Sequence, residues 1–187
     1  MPKGDYLSAI LRSPRTVFTA KDIMLLWREA DSAAARVRLN YYVKKGGLCR
    51  LRRGVYAKDK NYDRVELAGR IFIPSYVSLE TVLVKEGLVF QYQTGITSAA
   101  YLTRTLAIDG QSYIYKKIKN SVLLNPAGVG GLTASKERAF LDMLYLNRDY
   151  HFDNLRSLDW VKIDNLLPLY ANQRLEGVVK KIHRQTR

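Results

Sequence analysis

The chain has 187 residues, of which 47% are hydrophobic, 26% charged and 11% aromatic. That is enough apolar material for a core in each of two small domains, and it excludes general disorder. Lys and Arg number 31 against 17 Asp and Glu, a net charge of +14, so the partner to expect is polyanionic: nucleic acid or an anionic membrane surface. The longest uncharged span, residues 87–103, is interrupted by Gln91, Gln93, Thr94 and Ser98, which argues against a membrane span. Met1-Pro2-Lys3-Gly4-Asp5 leads into no apolar export segment. The single cysteine, Cys49, permits no intrachain disulfide and suits a reducing cytoplasm. With His151 and His183 it does not make a clustered zinc site, and no cofactor is expected.

The positive charge is unevenly spread. Residues 1–60 carry 14 basic and 5 acidic side chains, and residues 61–187 carry 17 and 12. Within the first part, residues 36–53 hold seven bases and no acid.

In chain order, Tyr6, Leu7, Ile10 and Leu11 have helical spacing, and Ser13-Pro14 ends that helix. Thr19-Ala20-Lys21-Asp22 has the form of a capping box, with Phe18 placed as a staple. It opens a helix from Ala20 to about Arg28 with Ile23, Leu26 and Trp27 on its apolar side. Asp31-Ser32 offers a second cap, for a helix from about Ala33 to Lys45 that stops at Gly46-Gly47. Leu48–Arg52 and Val55–Ala57, flanking Arg53-Gly54, predict a β-hairpin. Helix, helix, turn, helix, hairpin is the order of a winged helix-turn-helix.

The polar segment Lys58–Arg64 predicts a domain boundary, dividing the chain into residues 1–60 and 61–187. Val65 to Ile73 is partly helical, Pro74 breaks it, and Ser75 or Ser78 is placed to cap a helix over Leu79, Val82 and Leu83 that ends at Gly87. Two extended runs follow around the turn Asp109-Gly110, and Val122-Leu123-Leu124 predicts another short strand. Pro126–Gly131 is a predicted loop. Thr133 and Ser135 are candidate caps for a helix burying Ala139, Phe140, Met143 and Leu144, and Trp160–Tyr170 and Gln173–Arg184 predict further helices. The fold class is α+β: an N-terminal winged helix-turn-helix followed by a mixed α+β domain.

On the third helix, Ala35, Leu39, Tyr42 and Val43 form one apolar stripe, to be buried against Ile23, Leu26 and Leu48. The opposite face carries Ala33, Ala34, Val37, Asn40, Tyr41 and Lys44, with Arg36 and Arg38 on its flanks. Such a face suits the DNA major groove: Asn40 for adenine, arginines for guanine, Ala or Val for a thymine methyl. Lys44, Lys45, Arg50, Arg52 and Arg53 are placed to neutralise phosphates, with Thr19 and Ser32 at the two helix starts completing the candidate DNA-binding set. Duplex DNA is favoured over RNA, whose A-form major groove is too narrow for a helix.

No enzyme is expected. Asp63 with Glu66, and Glu137 with Asp142, are spaced as helix-surface acids. Asp142, in an otherwise apolar run, is read as an internal hydrogen-bonding residue in preference to a site residue, and it is the acid on which a DNA-processing alternative would depend. Gly128-Val129-Gly130-Gly131 lacks the lysine of a phosphate-binding loop.

Two stretches add a resemblance. Leu39-x-x-Tyr42-Val43-Lys44-Lys45-Gly46-x-Leu48, running into Arg52-Arg53-Gly54-Val55-Tyr56-Ala57, resembles the N-terminal domain of AbiEi-type antitoxins, transcriptional regulators of bacterial type IV toxin–antitoxin systems. Pro74–Leu83, Gly87-Leu88 and Ala134–Tyr145 are similar to stretches of the same family in the same order, so the likeness spans most of residues 5–146. The C-terminal forty residues match only loosely. The resemblance implies a winged helix that represses its own operon and a second domain with antitoxin activity. It also implies a nucleotidyltransferase-like toxin encoded alongside, which need not be bound directly. The alternatives left open are an adaptor that binds a protein through its second domain, and a DNA-processing enzyme targeted by the winged helix.

Overall fold

A computed structural model describes residues 5–91 and 94–186. Met1–Gly4, read above for an export signal, Tyr92, Gln93 of the uncharged span, and Arg187 lie outside the described residues. The chain is mixed α and β and divides into two units, one running to Ile71 and one starting at Phe72.

In the first unit, helix α1 (Asp5–Arg12) is followed by strand β1 (Val17–Thr19), α2 (Ala20–Trp27), α3 (Ser32–Lys44), β2 (Cys49–Arg52), β3 (Val55–Ala57) and α4 (Arg64–Ile71). The strands form an antiparallel sheet in the order β1-β3-β2. Val17 lies opposite Ala57 and Thr19 opposite Val55, while β2 meets β3 with an irregularity between Arg50 and Arg52. The Thr19 capping box forms in full: its hydroxyl accepts from the Asp22 N–H at 3.1 Å and the Asp22 carboxylate accepts from the Thr19 N–H at 2.8 Å. Helix α2 ends at Arg28 in the left-handed region (φ 52°).

Ile10, Phe18, Ile23, Trp27, Leu39 and Leu48 form the core of this unit. Trp27 completes its burial by donating its indole N–H to the Tyr6 carbonyl at 2.7 Å. Leu26 is a correction: it is 37% exposed, and Trp27, one residue on, takes the inward position. Phe18, expected as a helix staple, sits in β1 opposite Tyr56.

The division also differs from the expected 60/61. The polar segment after β3 is stitched to the start of β1: the Lys58 N–H donates to the Thr16 carbonyl and the Asp63 N–H to the Thr16 hydroxyl. One oxygen of Glu66 then accepts from the Thr16 N–H at 2.8 Å, the Thr16 hydroxyl at 2.7 Å and the Val17 N–H at 3.3 Å. Helix α4 therefore belongs to the first unit, and the chain leaves it after Ile71.

The second unit holds β4 (Ser75–Val77), α5 (Glu80–Lys85), β5 (Gly95–Ala100), β6 (Arg104–Ile108), β7 (Gln111–Lys117), α6 (Asn120–Leu123), β8 (Val129–Gly130), β9 (Thr133–Ala134), α7 (Lys136–Leu146), α8 (Trp160–Leu166) and α9 (Gln173–Thr186). A 3-10 turn, Leu167–Tyr170, continues α8. The six strands run in the order β6-β7-β5-β4-β9-β8, with β5–β7 and β4–β9 parallel. The β6–β7 turn is Asp109-Gly110, both at positive φ (48° and 74°), as a two-residue hairpin requires.

Three expectations change in this unit. Val122-Leu123-Leu124 is helical rather than extended, because its N–H groups bond back to the Lys119 and Asn120 carbonyls. The loop at 126–131 contains β8, which pairs with β9. Neither Ser75 nor Ser78 caps α5, since the Ser78 hydroxyl is drawn inward to Asp142 at 2.8 Å. Ser135, rather than Thr133, caps α7. Among the described residues no helix is long and apolar enough to cross a membrane.

Candidate nucleic-acid interface

The surface begins with the start of α3. The Asp31 carboxylate caps it by accepting from the Ala33 N–H at 2.7 Å, leaving Ser32 as the first helical residue with an exposed side chain. Ala35 and Leu39 are buried and Tyr42 and Val43 pack partly against the same core, so the predicted apolar stripe faces inward. The opposite face is open: Val37 is 71% and Tyr41 56% exposed, with Ala33, Arg36, Asn40 and Lys44 also exposed. Gly46, at φ 73°, turns the chain out of the helix after Lys45.

In the hairpin, Gly54 (φ 80°) makes the turn, with Arg53 exposed beside it and Arg50 exposed on β2. Arg52 is half-buried. Among the described residues Arg36, Lys44, Lys45, Arg50 and Arg53 form no ion pair with the protein's own carboxylates. Their field is directed at solvent.

Thr19 and Arg38 of the candidate set are engaged within the protein. The Thr19 hydroxyl serves the capping box. Arg38 is half-buried, its guanidinium 3.8 Å from the centre of the Tyr6 ring, 5.5 Å from that of Trp27, and 3.1 Å from a Glu29 carboxylate oxygen. The hydrogen bond from Arg38 and a second from the Asp31 N–H hold the Glu29 carboxyl below its ordinary range. Arg38 is thus spent on its own unit.

An open groove of about 650 Å³ runs along this face, lined by Tyr6, Ala34, Val37, Arg38, Tyr41 and Tyr42. The Tyr41 ring is held edge-on to Tyr42 at 5.5 Å. Tyr6 was not a site candidate, because its helical spacing reads as core. Its place here depends on Trp27, 21 residues on, whose ring lies 5.3 Å from its own, and no local sequence signal marks that pairing.

The second unit has a different character. Asp142, wholly buried, accepts from Tyr170 (2.7 Å), Ser78 (2.8 Å), Tyr76 (3.0 Å) and Arg138 Nε (3.3 Å). Arg138, equally buried, also donates to the Ala127 and Val122 carbonyls and to Tyr76. Burial pushes the Asp142 carboxyl up, while the Arg138 charge and the three hydroxyl donors pull it back. Burial, with the Asp142 charge next, likewise raises Tyr76 and Tyr170. With every partner internal, this cluster ties α7 to β4 and the 3-10 turn. A shallow cavity of about 390 Å³ elsewhere in this unit is lined by Glu80, Lys116, Lys117 and Tyr150 among others. His183 stacks flat on Trp160 at 4.1 Å. Among the described residues no group of three or more His, Cys, Asp or Glu is placed to hold a metal ion.

No family model matches the chain, and no curated protein matches it either.

Proposed function

We propose that the chain is a sequence-specific duplex-DNA-binding repressor whose first unit works as a winged helix-turn-helix. Helix α3 is the recognition helix, and β2–β3 is the wing. The observation that carries this reading is the pairing of surfaces on one unit. An α3 face of Ala33, Val37, Asn40 and Tyr41 lies open, and Lys44, Lys45, Arg50 and Arg53 are left without carboxylate partners. A helix of 13 residues is ~20 Å long, enough to lie in a major groove while basic residues at its end and in a hairpin meet phosphates.

The wider role rests on the AbiEi-type resemblance. The chain is the antitoxin of a two-gene type IV module, represses its own operon, and is matched with a nucleotidyltransferase-like toxin that it need not touch. The buried state of Asp142 favours this over a DNA-cutting role, since the acid such chemistry would draw on has no exposed surface.

A gel-shift titration tests the proposal. The protein should retard the duplex upstream of its own gene at concentrations well below those needed for a random duplex of equal length. Equal retardation of both would leave only a nucleic-acid-tethered adaptor. A nucleotidyltransferase-like reading frame beside the gene supports the antitoxin assignment, and an unrelated neighbour reduces the role to plain regulation.

A further inference from the structure

At 3.6 residues per turn, Ala33, Val37, Asn40 and Lys44 project from α3 within an arc of roughly 60°. This arc is the centre of the exposed face. Arg36 stands about 70° to one side of its midline on the Val43 side, and Arg38 is turned further away, folded over Tyr6 and clasped by Glu29. Lys44 lies about 10 Å along the axis beyond Val37, toward the helix end that meets backbone rather than bases. The centre line that would face base edges therefore offers two aliphatic side chains and one amide, with no guanidinium among them.

Guanine is read by bidentate Arg or Lys, adenine by bidentate Asn or Gln, and thymine by apolar contact with its C5-methyl group. Val37, 71% exposed, stands on this centre line with its methyl groups free to meet an apolar group on a partner. Tyr41, one turn on and braced by Tyr42, lengthens the same apolar surface. From this juxtaposition we infer that α3 selects A·T steps. Val37 and Ala33 seat on thymine C5-methyl groups and Asn40 takes the adjacent adenine edge, while the cations supply affinity without base preference. The inference deepens the repressor reading and rests on it.

The test uses the whole protein and duplexes enriched from a random pool. In the best duplex each thymine is replaced in turn by deoxyuridine, which removes the methyl and keeps the pairing. Losing one buried methyl should weaken binding about fourfold, at one or two thymines only. The V37A variant removes no buried surface, so it folds; circular dichroism checks this. It should bind the thymine duplex more weakly and lose the sensitivity to deoxyuridine at the thymine that Val37 contacts. Uridine-insensitive binding, a G·C-only footprint, or a V37A protein as sensitive as the parent would overturn the inference and leave DNA binding intact. Failure to enrich or bind any duplex would overturn the repressor reading itself.

Discussion

The Arg38 guanidinium lies 3.8 Å over the Tyr6 ring, joining the middle of α3 to α1. This contact makes Arg38 a brace. R38A should lower stability by about 1 kcal/mol through loss of stacking and stem packing, measured by urea titration. Its effect on DNA affinity should be much smaller than that of R50A. Equal losses in the two variants would return Arg38 to the DNA-contacting set.

The partner of that brace titrates. A carboxyl held low in the folded state contributes stability above its unfolded pKa, and this contribution is lost as pH falls through the folded value. The Glu29 carboxyl is lowered by Arg38. The parent and E29Q should therefore differ in urea midpoint at pH 7, with the parent more stable, and converge as pH falls through the folded value, which lies below the ordinary glutamate value of about 4.3. A gap that persists in acid would mean the two residues interact by packing alone.

The Arg138–Asp142 pair predicts a larger effect. Removing the guanidinium in R138M leaves a buried carboxylate facing hydroxyls only, and strips donors from the Val122 and Ala127 carbonyls. A cost of about 3–5 kcal/mol is expected, against about 1–2 kcal/mol for S78A, which removes one of several donors to Asp142. Comparable losses in the two variants would show that the cluster is not organised around the charge pair.

Two glycines separate backbone strain from crowding. Gly110 and Gly128 have nearly equal φ, 74° and 73°, but a Cβ at Gly110 meets nothing within 4 Å while one at Gly128 comes within 3.0 Å of Arg138 Cβ and 3.1 Å of Leu166. G110A should cost about 1–2 kcal/mol. G128A should cost more, read as a larger drop in Tm. If G110A is the worse of the two, the approach of the 126–131 loop to α7 is looser than described.

Much of the first unit was legible because its signals are local. The Thr19–Asp22 box, the Ala35–Leu39–Tyr42–Val43 stripe and the glycine of the Arg53-Gly54 turn each fall within one or two turns of chain. What escaped reading depends on distant partners. Strand β1 has three residues, too few for a period, and exists because β3 pairs with it. Glu66 reads as a surface acid, but it reaches 50 residues back to Thr16 and so carries α4 into the first unit. Arg38 reads as one more cation, since nothing nearby announces that Tyr6 and Glu29 converge on it. Val122–Leu124 reads as a strand by β-propensity, yet its carbonyl at Val122 serves Arg138 and its N–H groups close a helical turn.

The DNA binding proposed for this chain depends on cations of one unit meeting a duplex backbone. The most direct measurement is the affinity of the whole protein for a labelled duplex as salt is raised. With about five phosphates engaged by Lys44, Lys45, Arg50, Arg52 and Arg53, log K should fall against log salt with a slope of roughly −4 to −5, and R50A and R53A should each reduce its steepness by about 1. A slope near zero, or a slope unmoved by either substitution, would contradict it.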